Sequence, residues 1–153
     1  MAISQAMVTS FKVEILNGVH AFGTSVTRAT TNADTYKIAL YTSSATLSAA
    51  TTAYTTTLSD EVSTSGTNYG QGGLTLTISQ VPTSTGTTAW LDFADITWVS
   101  ATISAAGALI YNETQGKKAV AVLDFGGTKS STAGNFTIQF PTANSTSAIL
   151  RIA

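Results

Sequence analysis

The hydrophobic period of this chain changes once, near residue 35, and the change divides it into two parts. Between Ile3 and Val19 the apolar residues Ile3, Met7, Phe11 and Ile15 recur every four positions, with Val8 and Leu16 beside them. That spacing draws one apolar stripe along a helix. Ser4 is placed to cap its start, and Asn17-Gly18 offers a stop at which φ turns positive. The pattern therefore predicts one N-terminal amphipathic α-helix. Its stripe has to be covered by the sheet of the same subunit or by a neighbouring subunit.

From Gly23 to Ala33 the residues are small, polar and aperiodic, which reads as a connector. Beyond it the period becomes two. Tyr36, Ile38 and Leu40 share one face, and Leu74, Leu76 and Ile78 alternate with Thr75, Thr77 and Ser79 as half-buried strands do. Further strands are expected over 89–93, 95–99, 101–104, 108–112, 119–125, 136–140 and 148–152. Gly, Asn, Pro or Ser/Thr clusters divide most of them at about ten-residue intervals, the spacing of an all-β sandwich or barrel. The stretch from Thr42 to Tyr69 is almost all Ser, Thr and Ala, and is expected to hold a short strand or a turn of helix at the surface. Pro82 and Pro141 are each expected to close a strand, because proline has no N–H for the ladder.

Composition adds that the polar surface is made of hydroxyls rather than charges. Charged residues are 10% of the 153-residue chain and the formal net charge is -1, against about 25% charged in an ordinary soluble domain. Neutral, Thr-rich strands pack against other protein with little desolvation cost and little repulsion, so the chain reads as part of an assembly. Lys117 and Lys118 are the one basic pair, which leaves no electrostatic footprint for nucleic acid. The absence of cysteine excludes disulfides, thiolate zinc sites and thiol nucleophiles. No basic stretch followed by an apolar run opens the chain, and no later stretch approaches the ~20 apolar residues of a membrane span, so neither a secretory leader nor a membrane partner is expected. Sequons at Asn112, Asn135 and Asn144 are expected by chance in so Thr-rich a chain.

Residues that carry chemistry are scarce. His20 is the one histidine, and a triad or a catalytic zinc site would need it to serve alone, so it reads as a partner for a helix C-terminus. Asp92 and Asp95 are three apart, and on an extended strand they point to opposite faces. The simple expectation is one buried, hydrogen-bonded carboxylate and one in a turn; a shared site for calcium or glycoside hydrolysis would need a bend between them. Gly70-Gln71-Gly72-Gly73 and Gly126-Gly127 read as turns or bulges rather than phosphate loops, and Asp124-Phe125-Gly126 matches a kinase tripeptide by accident. Trp90, Trp98, Tyr36, Tyr41, Tyr54, Tyr69 and Tyr111 read as core or interface, with a sugar-binding platform as the competing use. No catalytic, cofactor or metal residue is expected.

The segments Ser10-Phe11-Lys12-Val13-Glu14-Ile15-Leu16-Asn17-Gly18-Val19-His20, Thr35-Tyr36-Lys37-Ile38-Ala39-Leu40-Tyr41, Asp60-Glu61-Val62 leading to Tyr69-Gly70-Gln71-Gly72-Gly73, Asp92-Phe93-Ala94-Asp95-Ile96-Thr97-Trp98 and Gly107-Ala108-Leu109-Ile110-Tyr111-Asn112 resemble, in order and spacing, a family of small tailed-bacteriophage virion proteins. The resemblance implies a structural, non-enzymatic role in the particle: a capsid decoration or cement protein on the shell, assembled in the host cytoplasm. It implies the major capsid protein and further copies of the chain, as a homotrimer, for partners. A neck or tail component and a glycan-binding surface protein are the alternatives. The expected fold is mainly β, a jelly-roll-like sandwich over residues 35–153, with an N-terminal helix or arm over 1–22 and a connector over 23–34. Phe11, Ile15, Leu16 and Arg28 are the residues expected at a protein interface.

Overall fold

Two long strands, β6 (Ile96–Asn112) and β7 (Lys118–Ile138), pair antiparallel along most of their length and form the spine of the fold. Near the turn that joins them the runs 105–111 and 119–123 are buried at every position. There β2 (Tyr36–Tyr41) pairs with β6, Tyr36 opposite Asn112 and Tyr41 opposite Gly107. With β3 (Leu74–Thr75) beside β2 and β1 (Ala6–Met7) beside β7, the first sheet has the order β1-β7-β6-β2-β3. A second sheet has the order β4-β5-β8, from β4 (Ile78–Thr85), β5 (Thr88–Phe93) and β8 (Leu150–Ile152). Every strand pairing is antiparallel. This computed structural model describes residues 3–8, 10–11, 15, 18–24, 34–56, 60–86 and 88–152, and over them the protein is mainly β.

One apolar core joins the two sheets. Leu91, Phe93 and Leu150 belong to the same buried cluster as Ile38, Leu40, Leu109 and Val120. The Tyr36 and Phe93 rings meet with centroids 5.9 Å apart. Each such side chain removed from water contributes about 1.5–3 kcal/mol, so this shared core is what couples the sheets.

The predicted helix is not found where it was to begin. Ile3 bridges Leu47, Ser4 donates its N–H to Leu47 O at 3.1 Å instead of capping, and Ala6–Met7 is a strand against Val122 and Ala121. The four-residue spacing of Ile3 and Met7 is overridden by tertiary context, because pairing along β7 satisfies the backbone while Val8 becomes fully buried. No whole helix is among the described elements, although Ser10, Phe11 and Ile15 are themselves helical. The rest of the predicted helix lies mostly outside the described residues, as does most of the connector. Gly18 does take positive φ, at 67°, with its N–H on Ile15 O.

Four further expectations change. The run Leu74 to Ile78 is not one strand: Leu74–Thr75 ends the first sheet and Ile78 opens the second. Between them Leu76 N bonds Tyr36 O and Ala94 N bonds Thr77 O as the chain crosses from one sheet to the other. The strands expected over 95–99, 101–104 and 108–112 fuse into β6, and those over 119–125 and 136–140 fuse into β7, because Ser, Thr and Gly are taken up in bulges rather than turns. Pro82 does not end a strand. It lies within β4, on the outside of its sheet and at a register shift between Gln80 and Thr83, where a missing N–H costs no ladder bond. Finally, the stretch from Thr42 to Tyr69 is not confined to the surface, since Ala45, Leu47, Tyr54, Val62 and Tyr69 all enter the core.

Candidate functional site

Where Tyr54, Glu61, Tyr69 and Tyr111 meet, a single carboxylate organises a polar knot at the side of the first sheet. Glu61 is brought there by the bridge between Tyr41 and Glu61 at the end of β2. Tyr69 Oη donates to Glu61 Oε1 at 2.7 Å, Tyr54 Oη to Oε2 at 3.0 Å, and Gly72 N to Oε1 at 2.6 Å. Tyr69 Oη also accepts Leu40 N, and Tyr111 Oη donates to Gly72 O at 2.8 Å. Tyr54 stacks on Tyr111 with centroids 4.6 Å apart, and Lys117 Nζ lies over the Tyr54 ring. Burial first pushes the hydroxyls of Tyr41, Tyr54, Tyr69 and Tyr111 well above the ordinary tyrosine range, helped by the Glu61 charge at the first three and chiefly by the Glu113 charge at Tyr111. Such groups stay protonated and act as donors, so the knot ties the turn 70–73 to the sheet.

A second knot surrounds His20. Asn112 Nδ2 lies 3.1 Å from His20 Nδ1 and donates to Asp34 Oδ2 at 2.7 Å. Asp34 also accepts Ala21 N and Gln115 Nε2, while Tyr36 Oη donates to Ala21 O. His20 is packed edge-on against Phe11, centroids 4.7 Å apart, and is buried. Among the described residues its partners include these core groups. Asn112 is fully buried, so the sequon it heads is closed to modification.

Asp92 and Asp95 are placed as the simple expectation had it. Asp92 is 1% exposed, with Oδ1 accepting Phe93 N at 2.8 Å. Asp95 is exposed between β5 and β6 and accepts Phe140 N at 2.8 Å. Burial raises the Asp92 carboxyl, the backbone N–H groups of Phe93 and Ile149 oppose that rise, and the Asp95 charge adds to it. Among the described residues no group of three His, Cys, Asp or Glu could hold a metal ion. Of the seven aromatics weighed as a sugar platform, Tyr36, Tyr41, Tyr54, Tyr69, Tyr111 and Trp98 are buried, and Trp90 alone retains accessible surface.

Two surfaces remain. One is a mostly apolar groove of about 330 Å³ where Met7, Phe11, Ile15 and Phe22 face Trp90 and Ile152 of the second sheet. It gathers two of the four residues expected at an interface. Phe11 is 1% exposed and forms its inner wall, and Ile15 is half-buried. Leu16 and Arg28 lie outside the described residues.

The other surface is the far half of the β6–β7 hairpin. Beyond Gly107 the ladder is interrupted, with residues 125–128 of β7 set against Ala106 alone, and it then resumes to Ile96 opposite Ile138. Trp98, Ala101, Ile103, Phe136 and Ile138 turn inward on this ribbon. Outward it shows Val99, Ser100, Thr102, Ser104, Thr128, Lys129, Ser130, Thr132, Ala133 and Asn135. The sequence held the alternation of Ala101, Ile103 and Ala105 with Thr102 and Ser104, but the glycines and bulges hid that it belonged to one continuous ribbon.

No helix among the described residues is long and apolar enough to cross a membrane. No family model, no curated protein and no solved structure matches this chain.

Proposed function

We propose that this chain is a structural virion protein of a tailed bacteriophage, a decoration or cement protein that sits on the outer surface of the capsid and stabilises the shell. In this reading the two sheets form a jelly-roll-like sandwich, the chain works as a homotrimer on the major capsid protein, and it has no enzymatic activity. The resemblance of five segments spread over most of the chain supports the class of protein. The observation that carries the role is the outer face of the β6–β7 ribbon, whose ten residues named above include one charge, that of Lys129.

A face of hydroxyls and small side chains meets another protein with little desolvation cost and no long-range repulsion. Contacts of that kind are individually modest. A protein that touches several capsid subunits at once multiplies them, because the second and third contacts form at high effective concentration. Opposing the outward load of a packed genome requires many weak contacts spread over the shell, and a small β protein repeated at each junction supplies them.

The test is to add purified protein to mature capsids prepared without it and to image the particles by cryo-electron microscopy. Density at many equivalent sites on the icosahedral shell, with capsids that survive higher temperature, is the expected result. Failure to bind shells, together with recovery in tail fractions alone, would overturn the cement role and move the chain to the neck or tail.

A further inference from the structure

The side-chain amide of Asn112 stands between two acceptors. Its Oδ1 accepts Gln115 N at 3.1 Å, which fixes the amide so that Nδ2 faces Asp34 Oδ2 at 2.7 Å and His20 Nδ1 at 3.1 Å. One hydrogen of Nδ2 goes to the carboxylate and the other is aimed at the imidazole. His20 Nδ1 is therefore an acceptor, and these partners assign the neutral tautomer with its hydrogen on Nε2. Both acceptors precede β2 in the chain, whereas the donor ends β6.

The surroundings of His20 determine what a proton does there. The ring is buried, edge-on to Phe11 and stacked on Phe22 with centroids 6.4 Å apart. Of the charged groups, Asp34 before β2 lies within the knot, and Lys118 of β7 stands opposite Asn112 in register. Asp34 attracts an imidazolium, but it already accepts Ala21 N, Asn112 Nδ2 and Gln115 Nε2. Burial and the facing amide oppose the proton. On Nδ1 it would turn an acceptor into a donor and set one N–H against another at a buried contact. The amide cannot turn to meet it without giving up Gln115 N and Asp34 together. Asp34 is the nearest acceptor in the knot, so a protonated His20 competes with Asn112 for one carboxylate.

We propose that His20, Asn112 and Asp34 form an acid-released latch, in which protonation of His20 at Nδ1 draws it to Asp34, expels the Asn112 amide and frees residues 18–22 from the end of β6. Phe11 and Phe22 are sealed beside this contact at 1% and 7% exposure, and with His20 and Ala21 they form one wall of the apolar groove. Release opens that wall and presents both rings to solvent. Linkage fixes the sign: acid releases the segment only if the latched ring binds its proton more weakly than a free imidazole, whose value is about 6.5. The stabilising contribution is then complete above that value and is lost as pH falls through the folded one. None of these residues lies on the outer face of the ribbon, so the inference stands apart from the proposed function.

The test uses the whole chain, in which His20 is the one histidine, so its ring-proton resonance can be titrated by NMR without overlap from another imidazole. The midpoint should lie below about 6.5. Exchange of the Asn112 side-chain amide hydrogens, corrected for its intrinsic pH dependence, should quicken at least about tenfold with that same midpoint. Binding of the dye ANS, which reports exposed apolar surface, should rise in step while far-UV circular dichroism is unchanged. His20→Asn keeps an oxygen able to accept from Asn112 and has no proton to gain, so its amide exchange and dye binding should not respond to acid. Amide exchange or dye binding that stays constant through the His20 titration overturns the latch, as does a midpoint at or above about 6.5. A folded His20→Asn that still opens on acidification overturns it too, because another group is then the switch. If that variant does not fold, the titration of the parent chain gives the answer by itself.

Discussion

Inside the core Asn112 Nδ2 donates to Asp34 Oδ2 at 2.7 Å, although 78 residues separate the two in sequence. Asn112 ends β6 and Asp34 precedes β2, and the same carboxylate accepts Ala21 N at 3.2 Å. Asp34 therefore fastens residues 20–22 to the end of the spine. Replacing Asn112 by Ala removes a donor from a buried carboxylate and also the acceptor for Gln115 N. The expected loss is about 2–3 kcal/mol, the range for a hydrogen bond to a buried charge. Asn112→Asp should be worse, because it sets a second carboxylate against the first. Urea denaturation of the variants beside the parent chain measures both, and a loss below half a kcal/mol for Asn112→Ala would remove Asp34 as a fastening.

Much of this arrangement was legible in the sequence and part was not, for a physical reason. The alternation in Tyr36 to Tyr41 marked β2 as a strand, but a half-buried one, whereas Ala39 and Tyr41 on its other face are buried as fully as Ile38 and Leu40. The Asp92 and Asp95 pair could be resolved from strand geometry alone. The N-terminal segment could not, because Ile3 and Met7 satisfy a helical period locally and only the edge of β7, more than a hundred residues away, makes the extended form better. Likewise Leu74, Leu76 and Ile78 share one alternating pattern across a sheet crossing, since both sheets offer the same core to the apolar face. The ribbon escaped notice because Ser, Thr and Gly serve equally in turns and in bulged strands.

Gly73 separates steric from conformational cost. It has φ of 72°, and a methyl group built there would overlap the carbonyl of Ile38 in the neighbouring strand. Gly116 has a similar φ of 64° with nothing nearby. Gly116→Ala should cost about 1–2 kcal/mol, the left-handed penalty alone. Gly73→Ala adds a backbone overlap that cannot relax without moving β2, and a loss above about 4 kcal/mol is expected, a large part of a typical domain's 5–15 kcal/mol. Equal thermal midpoints for the two variants would refute the close approach of 70–73 to Ile38.

The tyrosine knot makes the fold sensitive to alkali. Tyr41, Tyr54, Tyr69 and Tyr111 all have folded-state pKa values raised above the unfolded value near 10. For a raised pKa the stabilising contribution is complete below the unfolded value and is lost as pH climbs towards the folded one. Stability should therefore be level up to about pH 9.5 and fall above pH 10. Phenolate absorbance near 295 nm should rise together with loss of the fold rather than before it. Tyr69→Phe deletes the donor to Glu61 and the acceptor for Leu40 N, and should cost about 1–3 kcal/mol at neutral pH. Phenolate signal from four tyrosines appearing near pH 10 with the fold intact would show that the knot is open to solvent.

Asp92 gives a dependence of the same sign at the acid end. Its folded-state pKa is raised, chiefly by burial, so the protonated carboxyl is the form the fold prefers. The favourable contribution is present below the unfolded value near 3.9 and is lost as pH rises through the folded value, which leaves a buried charge as a net cost at pH 7. Asp92→Asn keeps an oxygen able to accept Phe93 N and removes that charge. The variant should melt higher than the parent at pH 7 and no higher at pH 3.5, so that the difference between the two grows with pH. Differential scanning calorimetry at the two pH values decides it. A variant less stable at pH 7 would mean that the carboxylate is held by more than the two backbone N–H groups of Phe93 and Ile149, and that its ionised form has a structural role in joining β5 to the residues before β8.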